Sequence, residues 1–180
     1  MKEIEVKSKI NNIDDFIEKA QKHRFVFTDH KTQNDKIFLP QGIKFSEIVP
    51  GVPVVRIRNQ DNQKITLTLK KRVLNELDKI EHEVIVDDEL EMSKILQNMN
   101  FYEVLTVSKK RKEGRFGDIS ICIDEVDNLG VFVEAEKICE DGDGPKIQEE
   151  LFHLLEGLGV QREDRINNGY DTLMYKKLNP

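Results

Sequence analysis

Apolar and polar residues alternate with a period of two along much of this chain, and the polar half of the alternation is unusually rich in charge. Successive side chains of a strand point to opposite faces. Glu3, Glu5 and Lys7 therefore share one side of the first stretch, with Ile4 and Val6 on the other. Ile119, Ile121 and Ile123 oppose Asp118, Ser120, Cys122 and Asp124, while Ile65, Leu67 and Leu69 oppose Lys64, Thr66, Thr68 and Lys70. Arg56 and Arg58 flank Ile57, and Glu134 and Glu136 flank Ala135. The pattern predicts strands at residues 3–7, 31–39, 54–58, 64–71, 79–86, 104–111, 118–126 and 131–137.

Three segments switch to a helical period. Residues 12–24 place Ile13, Phe16, Ile17 and Ala20 on one face, with Asn12 as cap and Asp14 and Asp15 in the first turn. Residues 88–98 form a second helix, with Leu90, Ile95 and Met99 expected on its apolar side. The third starts at Pro145, carries Ile147, Leu151, Leu154 and Leu155, and stops at Gly157 or Gly159. Turns are expected at Asp61-Asn62, at Glu113-Gly114 and from Asn128 to Gly130, a loop over residues 40–53, and a break at Asp141-Gly142-Asp143-Gly144. The tail around Tyr170 to Tyr175 is short and fits no single element.

Amphipathic helices need apolar partners, and the apolar strand faces supply them. The charged faces must then point toward one another. About eight mainly antiparallel strands can achieve this by closing into a barrel, which also removes sheet edges. The expectation is an α+β fold, one domain over residues 1–180, with helices outside a barrel whose interior is polar. Such a lining is tolerable only when water, metal or a charged ligand fills it.

Composition narrows the classes. A net charge of -6, with no aromatic residue within Lys109 to Lys112, argues against a nucleic-acid binder. Cys122 and Cys139 give neither a disulfide framework nor metal-ligand spacing, so a reducing cytosol is expected. No apolar run approaches a membrane span and the N-terminus lacks a signal-type segment, which points to a cytoplasmic protein that does not engage membranes. His23, His30, His82 and His153 have no partner at ligand spacing and read as outward-facing.

The charges themselves define a ligand. Arg and Lys converging from several strands suit a polyphosphate, and the candidates are Lys7, Arg56, Arg58, Lys70, Lys109 and Arg111. Clustered carboxylates suit Mg2+ or Mn2+, two ions being expected, and the candidates are Glu3, Glu5, Glu81, Glu83, Asp124, Glu134 and Glu136. Strict alternation from Thr106 and Ser108 selects Lys110 rather than Lys109 and Arg111, which share parity with Val107. Because the bases crowd an empty tunnel, Arg58→Ala is expected to stabilise the free protein or leave it nearly unchanged.

Glu3-x-Glu5-x-Lys7 resembles the N-terminal ExExK signature of the CYTH family, the triphosphate tunnel metalloenzymes, which includes the CyaB-type class IV adenylyl cyclases and the thiamine triphosphatases. The likeness continues in order through Arg56-x-Arg58, Leu67-Thr68-Leu69-Lys70, Lys79-x-Glu81-x-Glu83, Lys109-x-Arg111, Ile123 to Gly130 and Phe132 to Glu136. The resemblance implies Glu3, Glu5, Asp124, Glu134 and Glu136 as metal-site acids, the six bases as phosphate contacts, and Lys109 with Arg111 over Lys110. It places Tyr170 at a C-terminal aromatic position. Two departures stand out: Lys79 where many relatives carry Arg, and Ile37 where some triphosphatases pair Tyr with Lys to activate water. The implied activity is conversion of ATP to cyclic AMP and pyrophosphate, Glu3, Glu5, Lys7, Asp124, Glu134 and Glu136 carrying the catalysis. Hydrolysis of thiamine, nucleoside or inorganic triphosphate is the alternative, and a non-catalytic polyphosphate-binding module a third. The partner is ATP or another triphosphate, with a homodimer left open.

Overall fold

Strand alternation closes on itself in the computed structural model, which describes residues 2–139 and 143–180. The strands are β1 (Lys2–Lys9), β2 (Val26–Phe27), β3 (Lys31–Pro40), β4 (Pro53–Gln60), β5 (Lys64–Arg72), β6 (Asp78–Val86), β7 (Phe101–Phe116), β8 (Ile119–Val126), β9 (Gly130–Cys139) and β10 (Arg165–Ile166). The helices are α1 (Ile13–Lys22), α2 (Glu89–Asn98), α3 (Gly144–Gly157) and α4 (Tyr170–Leu178). Hydrogen bonding runs β1-β6-β5-β4-β3-β7-β8-β9 and back from β9 to β1, giving a closed antiparallel barrel of eight strands. β2 adds to β7, and β10 adds to β1 where its short pairing with β6 ends.

The outer wall is built as the alternation requires. Val6, Ile121, Ile123, Val133 and Ala135 pack against Phe16 and Ala20 of α1 and Leu151, Phe152 and Leu155 of α3. Asn12 caps α1 by accepting from the Asp15 amide at 3.0 Å, and Asp143 caps α3 at Lys146. Asp141 and Gly142 of the expected break lie outside the described residues. On the far side Leu96 and Met92 of α2 cover Val55, Ile57, Ile65 and Leu67. None of the described helices is long and apolar enough to cross a membrane.

The face of α2 differs from the expectation. Leu90, Ile95 and Met99 are 64%, 45% and 61% exposed, and the helix instead buries Ser93 and Leu96. Polar anchoring sets the phase. Glu89 meets Lys36 at 2.8 Å and accepts from Asn59 at 2.9 Å, which turns Glu89, Met92, Ser93 and Leu96 toward the barrel.

The turn after β7 also differs. The strand continues through Glu113 and Gly114 to Phe116, and reverses at Gly117, whose φ of 60° suits glycine. Gly114 is needed inside the strand because Phe27 of β2 lies on it. A Cβ there would sit 2.7 Å from the Phe27 ring.

The tail resolves into α4, which lies across one end of the barrel. Tyr170 and Met174 pack on Ile37, Leu39, Val54, Leu105, Val107 and Phe132. Ile37, Val54 and Val107 share parity with the inward Asp35, Arg56 and Lys109. The interior is thus apolar at this end and charged beyond it. That gradient explains why Val107 and Lys109 are both buried on the inner face while Lys110 is exposed.

Candidate active site

Strand register makes the electrostatics of the interior. Directly opposed residues on neighbouring strands have side chains close enough to interact, and in this barrel many such pairs join a base to an acid. Asp35 faces Arg58, Arg111 faces Asp124, Lys70 faces Glu81, Lys7 faces Glu134 and Glu3 faces Lys79. Each of these pairs forms an ion pair. Arg58 grips Asp35 with bonds of 2.6 and 2.7 Å, and Arg111 donates to Asp124 at 2.7 Å while also contacting Glu134. Lys7 lies 3.0 Å from Glu134, and Lys70 contacts Glu81. Lys109 approaches Asp124 at 3.4 Å.

Apart from Asp124, which is fully buried against Arg111 and Lys109, these side chains line one cavity of about 430 Å³. Every base proposed from sequence borders it: Lys7, Arg56, Arg58, Lys70, Lys109 and Arg111. The acids divide into groups. Glu3, Glu5 and Glu136 bring carboxylate oxygens within 4.8 Å of one another. Glu81 sits beside Lys70 and Lys79. Asp124 and Glu134 are held by Arg111, and Glu83 stands half exposed at the rim, 3.4 Å from Arg56.

Burial and neighbours set the ionisation of the carboxylates. Burial drives Glu136 up to about 7, and the Glu3 and Glu134 carboxylates add to the effect. Burial also pushes Glu5 up, with Glu134 and Glu3 reinforcing it and Lys79 opposing. Glu3 is buried too, yet Lys79 and Lys70 outweigh that cost and hold it well below the usual range. Lys79 is the cation beside Glu3 and Glu5, whereas burial pushes Glu5 and Glu136 toward neutrality. All donors are hard oxygens, so the residues fit a hard divalent cation.

Two lysines are altered in the opposite sense. Lys109 falls to about 8 through burial and the nearby Arg111, and Lys70 is lowered by burial and Arg56. Lys7 and Lys109 also meet the ring of Tyr170, at 3.8 and 4.8 Å from its centroid. α4 thereby floors the cavity with an aromatic residue.

Sequence reasoning passed over several lining residues. Asp35 was assigned to a strand but to no role, although Phe38 packs outward against α2's cluster and fixes Asp35 inward by parity. Gln33, Lys31, Lys64 and Arg115 also border the cavity. Lys79 bridges Glu3 and Glu5 at 3.0 Å each, which a change from Arg to Lys did not suggest. Cys122 lines the cavity with its thiol pushed well up by burial, and His82 is exposed as expected.

A family model described as the CYTH domain matches residues 1–170. This chain belongs to the CYTH family. CYTH members are adenylyl cyclases or triphosphatases that act on triphosphate substrates with a metal ion. A Methanocaldococcus jannaschii protein named "Putative adenylate cyclase" is 31% identical over 173 residues, covering 94% of this chain and 97% of the relative. The solved PH1819 protein of Pyrococcus horikoshii superposes with a TM-score of 0.81 at 28% identity, covering 97% of this chain and 99% of its own. A Hippeastrum protein, likewise named an adenylyl cyclase but with a dominant triphosphatase activity, has a TM-score of 0.62 at 18% identity. It covers 94% of this chain and 91% of its own, and its likeness concerns the fold.

Proposed function

We propose that this CYTH domain is a divalent-metal-dependent adenylyl cyclase of the class IV type, converting ATP to cyclic AMP and pyrophosphate. The observation that carries the reading is one cavity in which six bases surround a three-carboxylate cluster. Lys7, Arg56, Arg58, Lys70, Lys109 and Arg111 would bind and orient the triphosphate, the arginines by forked contacts and the lysines as point charges. Glu3, Glu5 and Glu136 would hold Mg2+ or Mn2+, which when bound shields phosphate charge and lowers the pKa of a hydroxyl. With the triphosphate fixed, the ribose 3′-hydroxyl would give up its proton to solvent and its oxygen attack the α-phosphorus in line. The new O–P bond replaces the bond to the β-phosphate, and pyrophosphate leaves.

Ile37 supports cyclisation over hydrolysis. Its side chain is buried among Val54, Leu105 and Val107 and offers no hydroxyl to orient an attacking water, so the hydroxyl at this end of the cavity is that of Tyr170 on α4. Hydrolysis of a terminal phosphate is the second reading. Lys109, lowered to about 8, favours it, because an amine near neutrality can take a proton from water. A simple binding module explains the bases but not the carboxylate cluster.

The two readings separate on products. Purified protein with ATP and Mn2+ is expected to yield cyclic AMP and pyrophosphate by chromatography, with tripolyphosphate acting as an inhibitor. Glu5→Gln is expected to lower turnover by about 10²–10³, as loss of an electrostatic stabiliser does. ADP and orthophosphate as products, or full activity in excess chelator, would overturn the proposal.

A further inference from the structure

We propose that Gln33 and Gln60 form a base-recognition site in the cavity, where this amide pair accepts a hydrogen bond from the 6-amino group of ATP. The inference rests on reading ATP as the substrate.

The placement follows from register. On β3 the inward side chains run Ile37, Asp35, Gln33 and Lys31, from the apolar floor under α4 toward the opposite end. Gln33 faces Gln60 as the last pair of the β3–β4 ladder, beyond the pair of Asp35 and Arg58. Both amides line the cavity.

Their hydrogen bonding is incomplete. Gln33 is 4% exposed, and its Nε2 donates to Gln60 Oε1 at 3.1 Å. Gln33 Oε1 is buried with no hydrogen-bond partner among the described residues. A buried carbonyl without a donor is costly, so the position suits a ligand that donates. Gln60 keeps its own Nε2 hydrogens as donors on the same wall.

A phosphate is the wrong partner for that carbonyl. Phosphate oxygens are acceptors, which suits the buried and unpartnered Nε of Arg56 but not Gln33 Oε1. A metal ion is disfavoured as well, because Lys109 pairs with Gln33 in register and Lys31 follows on the same face. The donors of ATP are its ribose hydroxyls and its 6-amino group. In cyclisation the 3′-oxygen must reach the α-phosphorus among the bases, whereas Gln33 and Gln60 lie beyond Arg58, where the far end of the nucleotide extends. The adenine edge sets amino hydrogens beside a ring nitrogen, and an acceptor next to a donor is the pattern by which amide side chains read it.

Comparing ATP with purine riboside 5′-triphosphate, which lacks only the 6-amino group, tests the idea. The readouts are kcat/KM for nucleotide consumed, whatever the products, and tripolyphosphate affinity by calorimetry. Wild type is expected to favour ATP by about tenfold. In Gln33→Met the preference should vanish while tripolyphosphate affinity holds. Circular dichroism and a thermal melt check the fold, and Gln33→Ala replaces Gln33→Met if the latter does not fold. No preference in wild type, a preference that survives in the folded variant, or weakened tripolyphosphate binding overturns the role of Gln33. If neither nucleotide is consumed, their dissociation constants give the same comparison. The products formed from ATP judge the cyclase reading separately.

Discussion

Truncating Arg58 tests how the tunnel keeps its charges, and the structure reverses the expectation drawn from sequence. Like-charge crowding suggested that Arg58→Ala would be neutral or stabilising in the empty protein. Arg58 is instead locked to Asp35 by two bonds of 2.6 and 2.7 Å, with side-chain exposures of only 13% and 8%. Burial works against the Asp35 charge, and Arg58 outweighs it to hold the carboxyl well below its usual range. Removing the guanidinium leaves that carboxylate without its partner. Breaking a buried pair from one side costs about 3–5 kcal/mol, a large share of the roughly 5–15 kcal/mol of a typical domain. At about 2–4 °C per kcal/mol for a chain of this length, the melting temperature should fall by about 10 °C.

Urea titration and calorimetry of wild type, Arg58→Ala, Asp35→Ala and the double variant provide the measurement. The double variant should lose less than the two singles added together, because removing both partners orphans no charge. Acid supplies a second check. Asp35 has a depressed folded pKa, so its contribution is present above the unfolded value of 3.8 and is lost as pH falls through the folded one. Arg58→Ala should therefore approach wild type on acidification. A melting temperature within about 1 °C of wild type at neutral pH, where even 1 kcal/mol would show, or strict additivity in the cycle, would refute the reasoning.

Two further outcomes follow, one from the same interior and one from the outer wall. In the metal-free protein Glu136 titrates at about 7 folded against 4.5 in its ordinary state, so stability present below 4.5 is lost as pH rises through 7. The loss is on the order of 3 kcal/mol; denaturant melts in chelator should show it, and Glu136→Gln should flatten it, whereas an unchanged slope in that variant counts against the assignment. Gly114→Ala, which forces a Cβ to 2.7 Å from Phe27, should cost about 1–3 kcal/mol. Pairing it with Phe27→Leu should recover part of that loss, and no recovery would place the strain elsewhere.

Alternation alone revealed which strand faces carry charge, because period two survives wherever one face is packed by a helix. Ile121 and Ile123 under α1 and α3, and Leu67 under α2, are such cases. It did not reveal which acid meets which base. That depends on register, and register depends on turns such as the one at Gly117, three residues beyond the Glu113-Gly114 turn that composition suggests. Parity with Thr106 and Ser108 points to Lys110 in place of Lys109 only if an inward strand face is polar throughout. The apolar floor under α4, made by Val107 with Ile37 and Val54, breaks that assumption. α4 itself was obscure because its buried residues, Tyr170, Thr172 and Met174, follow no clean helical stripe. The outward Leu90, Ile95 and Met99 of α2 show the reverse case, hydrophobicity without burial, where Glu89 decides the phase.

The central claim is that this tunnel joins the 3′-oxygen of ATP to its own α-phosphorus without water. Turnover of ATP and Mn2+ in ¹⁸O-enriched water, followed by mass spectrometry of the products, tests it directly. The account predicts cyclic AMP and pyrophosphate that carry no solvent oxygen. An ¹⁸O atom in released orthophosphate, with ADP as its partner, would contradict it and make the protein a triphosphatase.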